Sequence, residues 1–274
     1  MTDIFLGIIQ GITEFLPISS SGHLVIFDKL FPVINLNTND IAFLHIGTLF
    51  SIVIFYRARI LQIFSNLIIF KFYLKIIIFG ILPAVIVGLL TPIQEAIDNS
   101  SQILIYTGIA YFFLSVLLIF SERIASKNIL SIEEITINQA FLIGIAQAFA
   151  LMPGISRSGV TLLAAMYLGL KKADAIFYSM LIGIPTIFGA WSLTFINQSL
   201  EVNTSIIIPT IVAFLTGILA IKLLIKFTTE SKLQFFGFYC LILSIISFGP
   251  VSYTHLRAHE TREDLVCRLG RVKK

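Results

Sequence analysis

The chain writes one phrase twice. Gly7-Ile-Ile-Gln-Gly-Ile-Thr-Glu-Phe-Leu-Pro-Ile-Ser-Ser-Ser-Gly22 returns as Gly144-Ile-Ala-Gln-Ala-Phe-Ala-Leu-Met-Pro-Gly-Ile-Ser-Arg-Ser-Gly159, 137 residues later and close to half the chain away. Gly, Ile, Gln, Ile, Ser, Ser and Gly recur in register. Each copy is apolar, is broken by Pro and Gly, and ends in small hydroxylic residues. Each also carries ionisable groups: Glu14 and His23 with the first, Arg157 in the second. Paired, interrupted apolar segments in the two halves of a membrane protein point to a central site where the halves meet.

The membrane setting follows from composition. The chain is 57% hydrophobic and 12% charged, where soluble domains carry about 25% charged residues. Mean hydropathy is +0.96. The apolar runs 41–56, 76–92, 102–120, 174–196, 206–225 and 233–250 approach the roughly 20 residues that cross a ~30 Å hydrocarbon core. They are continuous rather than alternating, which disfavours a β-barrel. The N-terminus lacks the basic region and small-residue cleavage site of a signal peptide. Cys240 and Cys267 are too far apart in sequence to form a disulfide framework or metal motif, and Cys240 reads as packing. The net charge of +4 is concentrated in residues 251–274, whose six basic and three acidic side chains contribute +3. Nothing suggests nucleic-acid binding. Composition changes abruptly at Pro250, so 251–274 is expected to be a non-native or disordered polar tail, and 1–250 a single membrane domain with halves at about 1–120 and 138–250.

Loop charge gives an orientation, because Lys and Arg mark cytoplasmic connections. Arg57, Arg59, Lys71 and Lys75 fall in 57–75, Arg123 and Lys127 in 121–137, Lys171 and Lys172 between two runs, and Lys222, Lys226 and Lys232 in 222–232. The connections 34–40, 93–101 and 197–205 contain no Lys or Arg. Threading the runs through these assignments leaves 138–169 beginning and ending inside. Its arms, 138–152 and 159–169, are too short to span, so a re-entrant hairpin with its tip at 153–158 is expected. Residues 1–33 form the same figure from the outside, with the tip at 17–22. The expected fold is therefore an all-α polytopic membrane protein: an inverted-topology repeat of about six full spans and two re-entrant helical hairpins. Irregular backbone at membrane depth is tolerated where it is buried in protein or lines a wet cavity, so the two tips should meet.

The second tip has the chemistry of an oxyanion cradle. Gly154 and Gly159 free the backbone, a helix starting at about 159 offers N–H groups and the positive end of its dipole, and Arg157 offers a planar fork for phosphate oxygens. Ser156, Ser158 and Thr161 add hydroxyls. The plainer reading is a kinked helix with Arg157 reaching the surface, but an intramembrane Arg is expensive and usually functional. The first tip supplies complementary groups. Gln10 and Glu14 share a helix face at i, i+4 spacing. Pro17 ends that helix, Ser19, Ser20 and Ser21 follow, and His23 begins the returning arm. A carboxylate, hydroxyls and an imidazole beside an anion cradle suit phosphoanhydride hydrolysis, with a base, a nucleophile and a carboxylate-bound metal. The plainer readings are a surface acid for Glu14, a structural histidine for His23 and loop caps for the serines. His23, Ser20 and water all remain open as the nucleophile. His45 either lines the cavity or packs.

Gln10-x-x-x-Glu14-Phe-Leu-Pro-Ile-Ser-Ser-Ser-Gly-His23 and Pro153-Gly-Ile-Ser-Arg-Ser-Gly-Val-Thr161 resemble the two signature motifs of the undecaprenyl-diphosphate phosphatase family, the bacitracin-resistance type. Phe43–Arg57 and Gly80–Ala84 also look like family segments, and the resemblance covers about 1–250. It implies an integral-membrane enzyme that converts undecaprenyl diphosphate to the monophosphate lipid carrier of cell-wall biogenesis. The site would be accessible from the outer face of the bacterial inner membrane and supported by Mg²⁺ or Ca²⁺. The resemblance assigns catalysis to Glu14, Ser20, His23 and Arg157. It places Ser156, Arg157 and Thr161 in the phosphate-binding motif and Glu14 and Gln10 in the acidic, metal-holding one, and the chemistry of the two tips adds Ser19, Ser21, Gly154, Ser158 and Gly159 to the expected phosphate-binding residues. Many members have Glu where this chain has Gln10, which removes one anionic metal ligand. The expected partners are a polyprenyl diphosphate and the bilayer, with a homodimer allowed. The rival class is a transporter or flippase of a phosphorylated lipid or anion, since inverted repeats and broken helices also build transporters.

Overall fold

Two helix–break–helix segments form the middle of the molecule, and long apolar helices flank them. A computed structural model describes residues 2–30, 38–124, 129–197 and 204–249. The expected tail 251–274, most of the connections 34–40 and 197–205, Lys127 and Cys267 lie outside the described residues. The first segment is α1 (Thr2–Phe15) and α2 (Ser20–Leu30). It leads into α3 (Thr38–Phe55), α4 (Arg57–Ile63), α5 (Leu67–Leu90), α6 (Ile93–Asp98), α7 (Ile103–Ile119) and α8 (Ser121–Ile124). The second segment is α9 (Ile137–Phe149) and α10 (Arg157–Tyr167), followed by α11 (Lys172–Asn197), α12 (Ile207–Thr229) and α13 (Gln234–Gly249). Among the described residues the structure is all-α.

Three helices, α5, α11 and α12, are long and apolar enough to cross a membrane, and α3 with α4 makes a fourth if that bent pair is one span. α7 and α13 are shorter apolar helices. The outer surface carries side chains that water would not tolerate in such density, among them Phe50, Ile68, Leu90, Ile208, Leu215 and Ile245. Each half also hides a short arm against a long helix of the other half. α1 lies along α12, where a methyl on Gly7 would strike the Pro209 carbonyl. α9 lies along α5, where a methyl on Gly144 would stand 2.8 Å from the Gly80 carbonyl oxygen. Gly7 and Gly144 are the first residues of the repeated phrase. Small residues at such crossings let backbones approach where the surrounding lipid gives no hydrophobic drive.

Three boundaries differ from the sequence reading. α2 starts at Ser20 and α10 at Arg157, earlier than expected, because the residue before each helix caps it. Ser19 Oγ accepts from the Gly22 N–H and Ser156 Oγ from the Gly159 N–H, both at 3.2 Å. His23 therefore lies one turn into the returning arm. The basic segment 57–75 is not an open connection. α4 bends 75° from α3 at Tyr56, and α5, capped by Asn66, takes in Lys71 and Lys75. Arg59 is held against α11, 2.7 Å from Asp174 and 3.9 Å above the Phe177 ring.

Candidate active site

Because α1 and α9 both stop short, their tips meet. Leu16 has lost its helical successors at the break, and its carbonyl accepts from the hydroxyls of Ser156 (3.3 Å) and Ser158 (3.4 Å) across the interface. Pro17 lies against Gly159, and Gly22 against Gly154. Gly154 has φ +98°, a conformation that side-chain-bearing residues rarely adopt, and it turns the second tip back into α10.

Beside the joined tips is a cavity of ≈ 230 Å³. Glu14 is its centre. Oε1 accepts from Arg157 Nη2 at 2.7 Å, and Oε2 accepts from Ser20 Oγ at 2.8 Å and from Gln10 Nε2 at 3.0 Å. His45 Nε2 stands 3.7 Å from Oε2. Ser20 and Arg157 occupy the same register position of the two repeated phrases. The near-symmetric break thus delivers a hydroxyl and a guanidinium to opposite oxygens of one carboxylate. The Arg157 guanidinium lies against α11 at Gly183, where no side chain intervenes. Arg157 Nη1 and Gln10 Oε1 are buried without a protein partner. Nη1 packs on Gly183 with no acceptor there, and an unpaired buried donor is costly.

The expected residues divide into two sets. Glu14, Ser19, Ser20, Ser21, Ser156 and Arg157 line the cavity. Gly154, Ser158, Gly159 and Thr161 do not, and they shape the tip instead. The Thr161 hydroxyl donates to the Arg157 carbonyl (2.7 Å) and pairs with Ser179 Oγ (2.6 Å), which braces the start of α10. His23 is also outside the cavity, enclosed behind the first tip by Tyr111 and Tyr239. Gln10 is 1% exposed and reaches the site through Glu14.

Sequence reasoning missed Gln147 and Thr186, which line the wall opposite, with Gln147 Nε2 donating to Thr186 Oγ1 at 3.2 Å. Gln147 had a signal, since it is the register counterpart of Gln10. Thr186 had none, being one hydroxyl in an apolar run. Leu151, the counterpart of Glu14, closes the cavity with an apolar side chain. It also borders a second, almost wholly apolar groove of ≈ 400 Å³ between α5, α6 and α9.

Residues 3–246 match the model of the bacitracin resistance protein BacA family. The chain belongs to the BacA family. Among its relatives, the undecaprenyl-diphosphatase of Methanococcus vannielii is 41% identical over 255 residues, covering 89% of this chain and 98% of that protein. The undecaprenyl-diphosphatase of Thermosipho africanus is 42% identical, covering 90% and 99%. That of Thermotoga petrophila is 36% identical, covering 90% and 98%. With this membership, the apolar helices are those of an integral membrane protein.

Proposed function

We propose that this chain hydrolyses undecaprenyl diphosphate to undecaprenyl phosphate and inorganic phosphate, recycling the lipid carrier of cell-envelope synthesis. The observation that carries the reading is the Ser20 hydroxyl donating to a carboxylate whose other oxygen faces Arg157. A nucleophile hydrogen-bonded to a base, with a cation beside both, is the arrangement phosphoryl transfer needs.

In this mechanism Ser20 Oγ attacks the terminal phosphorus and its proton passes to Glu14. The bond from that phosphorus to the bridging oxygen breaks, and undecaprenyl phosphate leaves with the electron pair and takes the proton from Glu14. A water then gives a proton to Glu14 and its oxygen attacks the phosphoserine. The phosphorus–Oγ bond breaks, Oγ recovers the proton, and inorganic phosphate departs. Arg157 offsets charge on the transferring phosphoryl oxygens. Ser19, Ser21 and Ser156 line the same cavity and would meet its remaining oxygens, while Gly154, Ser158, Gly159 and Thr161 act through the shape of the tip.

The donors around Glu14 suit a hard cation. A carboxylate and the buried, unpartnered Gln10 amide oxygen are the oxygen ligands that Mg²⁺ and Ca²⁺ prefer. Among the described residues no three His, Cys, Asp or Glu side chains gather into a metal cluster, so water and substrate phosphate would complete the shell. A cation held by Glu14 and Gln10 would neutralise phosphoryl charge.

In the bilayer, α3, α5, α7, α11, α12 and α13 are the six spans of this reading, and α1–α2 and α9–α10 its two re-entrant hairpins. The hairpin arms have 14, 11, 13 and 11 residues, well short of the ~20 that cross a membrane. The exchange of short arms, α1 onto α12 and α9 onto α5, supports an inverted repeat within one domain spanning about 1–250. The site then opens to the outer face of the cytoplasmic membrane, and cross-linking in vesicles tests a homodimer. The functional test uses purified protein in vesicles with undecaprenyl diphosphate and Mg²⁺. Release of inorganic phosphate supports the reading; relocation of intact lipid with no release would identify a transporter.

A further inference from the structure

We propose that Tyr239, together with Tyr111, positions Ser20 by acting through His23 on the Ser19 carbonyl oxygen. The inference rests on the phosphatase reading for its kinetic arm and on the geometry of the first tip for the rest.

Ser19 is the strained point of the site. Its φ is +61°, whereas Ser156, the matching cap of the second tip, has an ordinary φ of −79°. A non-glycine residue holds such a conformation only where its surroundings over-determine it. The surroundings here converge on one atom. The Ser19 carbonyl oxygen faces His23 Nδ1 at 2.7 Å, the His23 backbone N–H at 3.3 Å and the Tyr111 hydroxyl at 3.2 Å. The hydrogen positions then follow. A carbonyl oxygen only accepts, so Nδ1 carries the ring proton. In the neutral ring Nε2 is then bare, and it accepts from the Tyr239 hydroxyl at 2.7 Å. Tyr111 lies 3.1 Å from Nδ1 but meets a donor there, so its hydroxyl also donates to the Ser19 carbonyl.

Tyr239 therefore selects the tautomer that grips Ser19. Its ring stacks on the imidazole at 5.7 Å and 14°, while Tyr111 meets it edge-on at 6.1 Å and 85°. The two tyrosines come from α7 and α13, the last helix of each half. Gly22 leaves room for Tyr111: a methyl there would stand 2.6 Å from its hydroxyl. Ser20 follows Ser19 directly, so the backbone direction that this clamp fixes is the one that brings Ser20 Oγ to Glu14. His23 makes none of these bonds inside the cavity, and its basicity is spent on Tyr239. It is a positioning residue.

The test compares Tyr239→Phe, Tyr111→Phe, His23→Ala and His23→Asn with the wild type, full-length and in detergent. Each tyrosine variant is expected to lower kcat about tenfold with KM within about twofold, as when a nucleophile loses its alignment. His23→Asn keeps a donor near Nδ1 and is expected to retain at least tenfold more kcat than His23→Ala. A catalytic imidazole would leave both equally inactive, and that result overturns the proposal. Hydrogen–deuterium exchange across residues 18–24 reads the clamp without turnover. Exchange is expected to accelerate in both tyrosine variants while α1 and α9 stay protected. Unchanged exchange overturns the proposal whatever the chemistry proves to be, and absence of phosphate release by the wild type defeats only the phosphatase reading.

Discussion

Gly183→Ala separates folding from function at the centre of this site. A methyl at Gly183 would overlap Arg157 Nη1 and stand 2.9 Å from Cζ and 3.5 Å from Nη2. The group that must yield is the far end of a flexible side chain, so the helix packing is left intact. Alanine also favours a helix over glycine by up to about 1 kcal/mol. The melting temperature should therefore stay within about 4 °C of wild type. The guanidinium, however, must withdraw from the α11 wall by on the order of 1 Å, enough to lose the 2.7 Å bond to Glu14. Misplacement of a reacting group on that scale costs about 10²-fold in rate. Phosphate release from undecaprenyl diphosphate in micelles, measured over a range of substrate, should show kcat/KM lower by about 100-fold, with thermal unfolding followed in parallel. A variant that unfolds as the wild type does and turns over within twofold of it would refute the placement of Arg157 in the chemistry.

Other consequences are separately measurable. Gly144→Val forces α9 off α5 and should cost about 1–3 kcal/mol, read as a melting temperature several degrees lower in detergent. Gln10→Glu supplies a second carboxylate beside Glu14, so half-maximal activity should need less Mg²⁺ or Ca²⁺; an unchanged or higher requirement would remove Gln10 from the metal's surroundings. In a Cys240→Ala/Cys267→Ser background, an impermeant thiol reagent applied to intact cells should modify Asn99→Cys and spare Ser65→Cys, and the opposite pattern would invert the topology.

The architecture was legible because its cause is coarse. Apolar length needs no side-chain detail and is enough for an all-α membrane protein, and the repeated phrase announced two breaks, whose tips the structure brings into contact. That Glu14, Ser20 and Arg157 would share one cavity was legible for the same reason: they are polar groups where hydrocarbon forbids idle ones. Legibility failed where local hydrogen bonding decides. Thr161 looked like a ligand for phosphate, but a helical threonine readily bonds the carbonyl four residues back, and Thr161 does so to Arg157. Ser19 and Ser156 read as phosphate ligands, with a loop cap the plainer reading of Ser19, and both cap a helix, which sets the helix starts. The bend at Tyr56, which turns Arg59 toward Asp174, follows from contacts between segments more than 100 residues apart. Tyr111, Tyr239 and Gly183 are ordinary residues of apolar spans until the fold sets them beside His23 and Arg157.

The most direct test of a serine phosphatase at the meeting of the tips is a single-turnover experiment. Excess enzyme meets undecaprenyl diphosphate labelled with ³²P in the terminal phosphate, is quenched in acid within milliseconds, and is digested for mapping. Label is expected on the peptide containing Ser20, as an acid-stable phosphoserine that decays as inorganic phosphate appears and is absent from Ser20→Ala, which should itself release no phosphate. Full phosphate release by Ser20→Ala, or label on His23 instead, would contradict it.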